Sequence, residues 1–382
     1  MAGPMTESWE KWIEVDLDGV KHNVREIKRH LKHGTRLIAV VKADAYGHGS
    51  KEVSRICLEN GANWLGVANP VEGETLRGLG FEAPIFVLSP LFCEAAGIAV
   101  RNNLIQGVDS AEQVRALNCF AEKERKKAIV HIKVDTGLGR FGVLPRDIVK
   151  FAHTILKFRN IHLQGVYTHF ASPYTDREYT AYQYHKFLAV KKLLQQEKIS
   201  IEMFHCANSP SAMDSRHMHM DAVRIGFSLC NRCTGPERSE QWDLRDCMQF
   251  KTKIVKVRNV GRGDHLGYEN NFIADREMDI GIIPVGYADG IPTSLANRGY
   301  CLIQGRRSSL VGSVALNQSF LDLTGFAEQV SIGDEVVIIG KQQDESITYR
   351  EIAGQTNSGN AETILRISGS NRRLFYEKGR FF

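Results

Sequence analysis

Arg36-Leu37-Ile38-Ala39-Val40-Val41-Lys42-Ala43-Asp44-Ala45-Tyr46-Gly47-His48-Gly49 is an apolar run that ends on a lysine and then on small, turn-forming residues. Its first six positions are β-rich and apolar almost throughout, the pattern of a strand buried on both faces of a parallel sheet. A lysine at the carboxyl end of such a strand packs poorly, because its ammonium must be paired or reach solvent. In a parallel barrel that end is where catalytic groups are placed.

The same rhythm continues outward from this stretch. Buried-strand patterns recur at 38–41, 64–68, 85–88, 104–108, 128–134, 161–167, 203–206 and 223–228, and helical patterns at 51–60, 71–79, 92–102, 110–120, 145–158, 177–196 and 209–215 separate them. Alternation on this scale predicts a (β/α)8 barrel. A doubly wound sheet is the rival, but it would want a phosphate-binding glycine run after the first strand, and Lys42-Ala43-Asp44-Ala45-Tyr46-Gly47 is not one. Polar residues gather just past the strands: Lys42 and Tyr46, then Lys133, Asp135 and Arg140, then Thr168 and His169, then Asn208 and Ser209, with Arg224 and Gly226 at the last. Several strands lending polar tips to one rim is what a barrel active site requires.

On the amino-terminal side, residues 12–17 alternate as a half-buried strand, Asp18-Gly19 breaks it, and 20–31 has helical spacing. Beyond Cys230 a polar segment, 231–245, reads as a loop or linker; past it, apolar alternation with glycine turns predicts an all-β domain. The expected division is a barrel over 1–240, with 12–17 a candidate strand of the C-terminal domain, and a β domain over 241–382.

Composition narrows the function classes. The chain has 382 residues, 43% hydrophobic and 24% charged, with a formal net charge of +5 and no basic tail, which gives nucleic-acid binding little support. No apolar run is long enough to cross a membrane, and the start of the chain lacks a signal-peptide pattern. Eight scattered cysteines include one CxxC, Cys230-Asn231-Arg232-Cys233, without a second pair or spaced histidines to make a zinc site. The expectation is a cytoplasmic protein with free thiols and no bound metal.

Four stretches carry a family likeness: Lys42-Ala43-Asp44-Ala45-Tyr46-Gly47-His48-Gly49, Lys133-Val134-Asp135-Thr136-Gly137-Leu138-Gly139-Arg140-Phe141-Gly142, Tyr167-Thr168-His169-Phe170 and Pro284-Val285-Gly286-Tyr287-Ala288-Asp289-Gly290. In this order they resemble the alanine racemase family, pyridoxal-phosphate enzymes with a barrel and a β domain, and the likeness runs from about Trp12 to Arg373. The resemblance implies that Lys42 carries pyridoxal 5'-phosphate and acts as base on one face of the substrate Cα. It implies that Tyr287, from the β domain of a second subunit in a head-to-tail homodimer, acts on the other face. Arg224 would partner the pyridine nitrogen, His169 would face the ring, and Tyr46, Asn208, Ser209 and the backbone of Gly226 and Phe227 would hold the phosphate. Arg140 would hold the substrate carboxylate, with Lys133, a lysine often carbamylated in the family, orienting it.

The chain also departs from the family. Leu316-Asn317 stands where a Met-Asp pair is usual, Gly369-Ser370 where a tyrosine and arginine are, Cys230-Asn231 where a Tyr-Gly is, and Thr293 where an arginine is common; the channel tyrosine is matched by Tyr268. These positions belong to the pocket wall and channel mouth, and losing a ring there should enlarge the pocket. Racemisation of alanine is the expectation, with racemisation of a larger or broader set of amino acids the alternative. A decarboxylase or aldolase on the same cofactor is a further alternative that has no need of Tyr287; a cofactor-binding regulator and a metal-dependent barrel enzyme are others.

Overall fold

The structure is a computed structural model that describes residues 9–232, 242–326 and 330–382. It divides into two compact units, one made of Gly19–Ala45 and Gly49–Asp246, the other of Met1–Asp18, Tyr46–His48 and Cys247–Phe382. The boundary expected at 240–241 and Cys233 of the CxxC lie outside the described residues.

The first unit is built on an 8-stranded sheet: β2 (Arg36–Val40), β3 (Trp64–Val67), β4 (Ile85–Val87), β5 (Ile105–Val108), β6 (Ala128–Lys133), β7 (Ile161–Tyr167), β8 (Met203–His205) and β9 (Ala222–Ile225). Neighbours from β2 to β8 pair in parallel in chain order, and β9 pairs in parallel with β2. The gap between β9 and β8 is bridged by Asp221 N donating to Phe204 O at 3.1 Å and Arg224 N donating to Ala207 O at 3.0 Å, so the sheet closes on itself. Inside, Ile38, Trp64, Phe86, Ile105, Tyr167, Met203 and Ala222 pack as one buried cluster, a filled core and not a pore. The connecting helices start where the sequence supplies caps: Asn69, Ser110 and Asp176 accept the N–H of Glu72, Gln113 and Tyr179. The helix that was expected over 92–102 is a 3-10 turn, Cys93–Ala95, running into a short helix, Ala96–Arg101.

The second unit is a sheet in the order β11-β12-β15-β14-β13-β16-β10-β1-β18-β19, with β17 on β16. Its strands are β1 (Lys11–Asp16), β10 (Met248–Lys253), β11 (Lys256–Val260), β12 (Met278–Ile283), β13 (Tyr300–Ile303), β14 (Arg306–Val311), β15 (Ser319–Asp322), β16 (Glu335–Gln342), β17 (Glu345–Ile347), β18 (Arg373–Glu377) and β19 (Arg380–Phe381). The amino-terminal β1 lies antiparallel to β10 and parallel to β18. The strand ends at Asp16, and the helix expected from 20 begins sooner, as Leu17–His30, taking in Asp18-Gly19, with Asp18 in its first turn, where a carboxylate suits the helix dipole. The unit is also not purely β. Thr348 caps a helix, Tyr349–Thr356, whose Ile352 and Ala353 are buried, and a second helix covers Asn360–Ser368. Apolar alternation stops at Ile347, and helical spacing takes over.

Candidate active site

The run that opened the chain's reading behaves unusually where β2 ends. Lys42–Tyr46 makes one helical turn of the wrong hand: Ala43, Asp44 and Ala45 sit at φ 50, 53 and 54 with ψ near 50, and Tyr46 is at φ 54. Left-handed turns of non-glycine residues cost roughly 1–2 kcal/mol per residue, and such strain gathers at functional sites. Side chains hold the turn in place. Glu72 accepts the N–H of Ala43 at 3.0 Å and of Ala68 at 2.7 Å, and Asp44 accepts the N–H of Ser50 at 2.6 Å.

Lys42 therefore stands at the carboxyl rim of the barrel. Its pKa is lowered by burial and by the Arg140 cation, with Glu72 opposing. Lys133, the last residue of β6, is buried and lies over the rings of Phe141 and Tyr167 at 5.2 and 5.5 Å. Burial, then Arg140 and Arg224, bring its pKa down to about 8, with Asp109 opposing. The His169 imidazole, after β7, is held well below its ordinary value by burial and then by Arg224, Lys133, Arg140 and Lys42. His169 feels all four cations, so one rim gathers Lys42, Lys133, Arg140, His169 and Arg224. Arg140 is exposed on a loop whose shape is set by Asp135, which accepts the N–H of Gly137, Leu138 and Gly139 at 2.9, 2.9 and 3.1 Å.

Arg224 is buried in β9, and β9 sets it level with Ile38 of β2. Its NH2 donates to Thr168 O at 2.6 Å and Cys206 O at 2.9 Å, and its NH1 to His205 Nδ1 at 2.9 Å. Its Nε is buried with no hydrogen-bond partner among the described residues. Burial, before any other cause, brings this guanidinium's pKa down to about 10. Asn208 caps the helix Ser209–Asp214, and Ser209 Oγ accepts the N–H of Gly226 at 3.2 Å, just before the 3-10 turn Phe227–Leu229.

The remaining expected residues lie in the other unit. Tyr287 opens a 3-10 turn, Tyr287–Asp289, and is half exposed; its N–H donates to Ala315 O, and that of Ala288 to Leu316 O, both at 2.9 Å. A Cβ on Gly286 would lie 2.1 Å from Ala315 O, so only glycine lets the turn approach this loop. Leu316 and Asn317 are exposed on that loop, and Tyr268 is 71% exposed on a turn whose carbonyl accepts from Ser313 Oγ at 2.9 Å. A cavity of about 430 Å³ is lined by Tyr287, Ile291, Thr293 and Arg366 among others. Gly369 is not in that lining. It ends the helix Asn360–Ser368, and Ser368 packs so closely on Gly47 that a Cβ there would meet its Oγ at 2.0 Å.

Reading by motif missed Glu72, Asp109, His131 and His205. His131 had a usable signal, since it lies two residues before Lys133 on one strand and so faces the same interior.

Lys42 thus stands at the rim of a closed (β/α)8 barrel, among further cations, in a chain that also carries a separate β unit. Residues 15–231 match the family model for the alanine racemase N-terminal domain and residues 247–375 that for the C-terminal domain. The chain belongs to the alanine racemase family. It is 35% identical over 97% of its length and 96% of the relative's to alanine racemase 2 of Caldanaerobacter subterraneus subsp. tengcongensis. The alanine racemase of Bacillus anthracis, solved with bound L-Ala-P, superposes with a TM-score of 0.91 at 31% identity, covering 97% of this chain and 96% of that one. The histidine racemase of Leuconostoc mesenteroides subsp. sake superposes with a TM-score of 0.85 at 26% identity, covering 96% and 98%.

Proposed function

We propose that the chain is a pyridoxal-phosphate-dependent racemase that interconverts L- and D-alanine as a head-to-tail homodimer, with Lys42 of one subunit and the partner subunit's Tyr287 as the two bases. The observation that carries this reading is the rim itself, where Lys42 stands among Lys133, Arg140 and Arg224, with Glu72 opposing at Lys42 and Asp109 at Lys133. Such a site suits a phosphorylated cofactor and a carboxylate substrate. The donor set fits the cofactor in a further respect: the buried Arg224 Nε–H is left over for an acceptor, as a ring nitrogen would be. Ser209 and the Gly226 N–H would hold the phosphate, together with Tyr46, Asn208 and Phe227, and His169 would lie against the ring.

When bound, the cofactor withdraws electrons from the substrate Cα and makes its proton removable. The residues do the rest. Arg140 anchors the substrate carboxylate and fixes which face meets which base. Lys42, whose ammonium burial and Arg140 disfavour, holds or releases a proton at Nζ on one face. The partner subunit's Tyr287 does the same at Oη on the other. Arg224 stays protonated and withholds a proton from the ring nitrogen, which favours returning a proton to Cα over transferring the amino group. Lys133, half neutral at pH 8, is able to take up carbon dioxide, release a proton and so become an anion beside Arg140.

A second reading, a racemase of larger or more varied amino acids, is favoured by Thr293, Gly369, Leu316 and Asn317, by the cavity at Thr293, and by the likeness to a histidine racemase. Chiral chromatography of the holoenzyme with each L- and D-amino acid decides. Conversion dominated by alanine in both directions supports the first reading. Conversion of a larger residue, with alanine slow, supports the second; no conversion of any amino acid overturns both.

A further inference from the structure

The barrel core holds a line of polar groups that the proposed chemistry does not use. His131 Nδ1 lies 2.9 Å from His205 Nε2, and His131 Nε2 lies 3.1 Å from Gln164 Oε1. Gln164 Nε2 reaches Glu202 Oε2 at 3.4 Å, and His205 Nδ1 is the atom that meets Arg224 NH1. Both histidines are fully buried, whereas Glu202 is exposed just before β8, at the amino-terminal end of the barrel. The backbone is shaped for this line. Gly165 sits opposite His131 in the sheet, and a Cβ on it would lie 2.5 Å from the His131 ring. Packing space for a methyl group is thus given up to admit an imidazole.

The direction of the line follows from one fact: a guanidinium can only donate. His205 Nδ1 must therefore accept, and a neutral His205 carries its proton on Nε2 and donates to His131 Nδ1. His131 then carries its proton on Nε2 and donates to Gln164 Oε1, which turns the Gln164 amide NH2 toward the Glu202 carboxylate. No other tautomers satisfy every contact. Burial, ahead of the nearby Arg224, opposes charging of either ring, and it brings the His131 pKa down to about 4. The Gln164 hydrogen bond opposes this and Arg224 adds to it; Phe86 and Trp64 supply aromatic walls.

We infer that His205 and His131 are positioning residues: with Gln164 and Glu202 they form a one-way hydrogen-bond chain, Arg224 to His205 to His131 to Gln164 to Glu202, that holds the guanidinium with its unpartnered Nε–H free to meet the cofactor ring. This inference rests on the pyridoxal-phosphate reading above, while the chain itself is testable without cofactor. In the apo-protein labelled with 15N-histidine, long-range N–H correlation spectra should show both imidazoles neutral and protonated on Nε2 from pH 5.5 to 9. Titration of either ring in that range, or an Nδ1–H tautomer, overturns the chain.

The positioning role is read in the holoenzyme as racemisation turnovers per 2-oxo acid released. Breaking one buried hydrogen bond in a charged chain should lower this ratio roughly tenfold in His131→Leu. His131→Gln, which can accept and donate in turn, should restore most of it, and the exposed Glu202→Gln should lower it less without risk to folding. Variants that lose thermal stability or kcat while the ratio stays at the wild-type value overturn the positioning role. Visible absorbance of the wild-type protein with pyridoxal phosphate is read first; absence of binding there overturns the cofactor reading, and is seen apart from any result on the histidines.

Discussion

A buried lysine is costly unless its charge is wanted or can be shed. Lys42 is surrounded by further cations, so its neutral amine is favoured, which is the form a carbonyl cofactor needs. Lys42→Ala should lower racemisation by at least about a thousandfold; retained turnover above that floor, or unchanged borohydride-reducible absorbance, would sink the assignment. Lys133 is the sharper case for pH. With its pKa at about 8 in the folded chain against an ordinary 10.5, roughly a tenth of the amine is neutral at pH 7, where an unperturbed lysine would be far below a hundredth. Carbon dioxide reacts only with that neutral form. Enzyme stripped of dissolved carbon dioxide should therefore regain activity when it is restored, faster at pH 8 than at pH 6.5 at equal dissolved carbon dioxide, and Lys133→Met should not respond. The sign for stability is the same way round: the folded chain binds fewer protons than the unfolded one between pH 8 and 10.5, so the penalty for burying this ammonium is present below pH 8 and fades as pH rises through that window. Lys42 was legible because it directly follows β2 within a recognisable string, and Arg140 because the string 133–142 begins at the end of β6. His205 and Glu72 were not, because a site assembled from one residue per strand leaves no local period to read.

Among the elements, the barrel strands were legible to within a residue or two, except β9, which ends at Ile225 and not at 228, since burial on both faces writes itself as unbroken apolar runs. The left-handed turn was not. Ala43-Asp44-Ala45-Tyr46 has no glycine where φ is positive, so nothing in its composition announces the conformation. The surrounding contacts impose it, chiefly the Glu72 carboxylate on the Ala43 N–H. Ala43 is exposed, which separates backbone from packing. A β-branched residue is the poorest fit to positive φ, so Ala43→Ile should destabilise the apo-protein by about 1–2 kcal/mol in urea unfolding. Ala43→Gly should shift it by less than about 1 kcal/mol, toward greater stability. An isoleucine variant as stable as wild type would mean that the turn relaxes without cost. The two helices past Ile347 were missed for a related reason: a reader following β alternation expects it to continue, and only the Thr348 cap marks the change.

At the scale of the whole molecule, Tyr287 is 51% exposed, Tyr268 is 71% exposed and Leu316 is 52% exposed, all on the β unit. In the assembly proposed above, these open side chains would be covered by a partner. If that partner is a second copy in a head-to-tail pair, each site takes Lys42 from one subunit and Tyr287 from the other, and symmetry makes two such sites. Mixing inactive variants then has a definite outcome. Lys42→Ala and Tyr287→Phe chains, unfolded together and refolded at equal concentration, give half mixed dimers. In each mixed dimer one site carries both lesions and the other carries neither. About a quarter of wild-type activity should return, and the regain should vanish when either variant is refolded alone. Were Lys42 and Tyr287 of the same chain to serve one site, every site in the mixture would carry a lesion and no activity would return. A regain near one quarter, lost again on dilution below the dimer dissociation constant and recovered on concentration, would assign the second base to the partner by function.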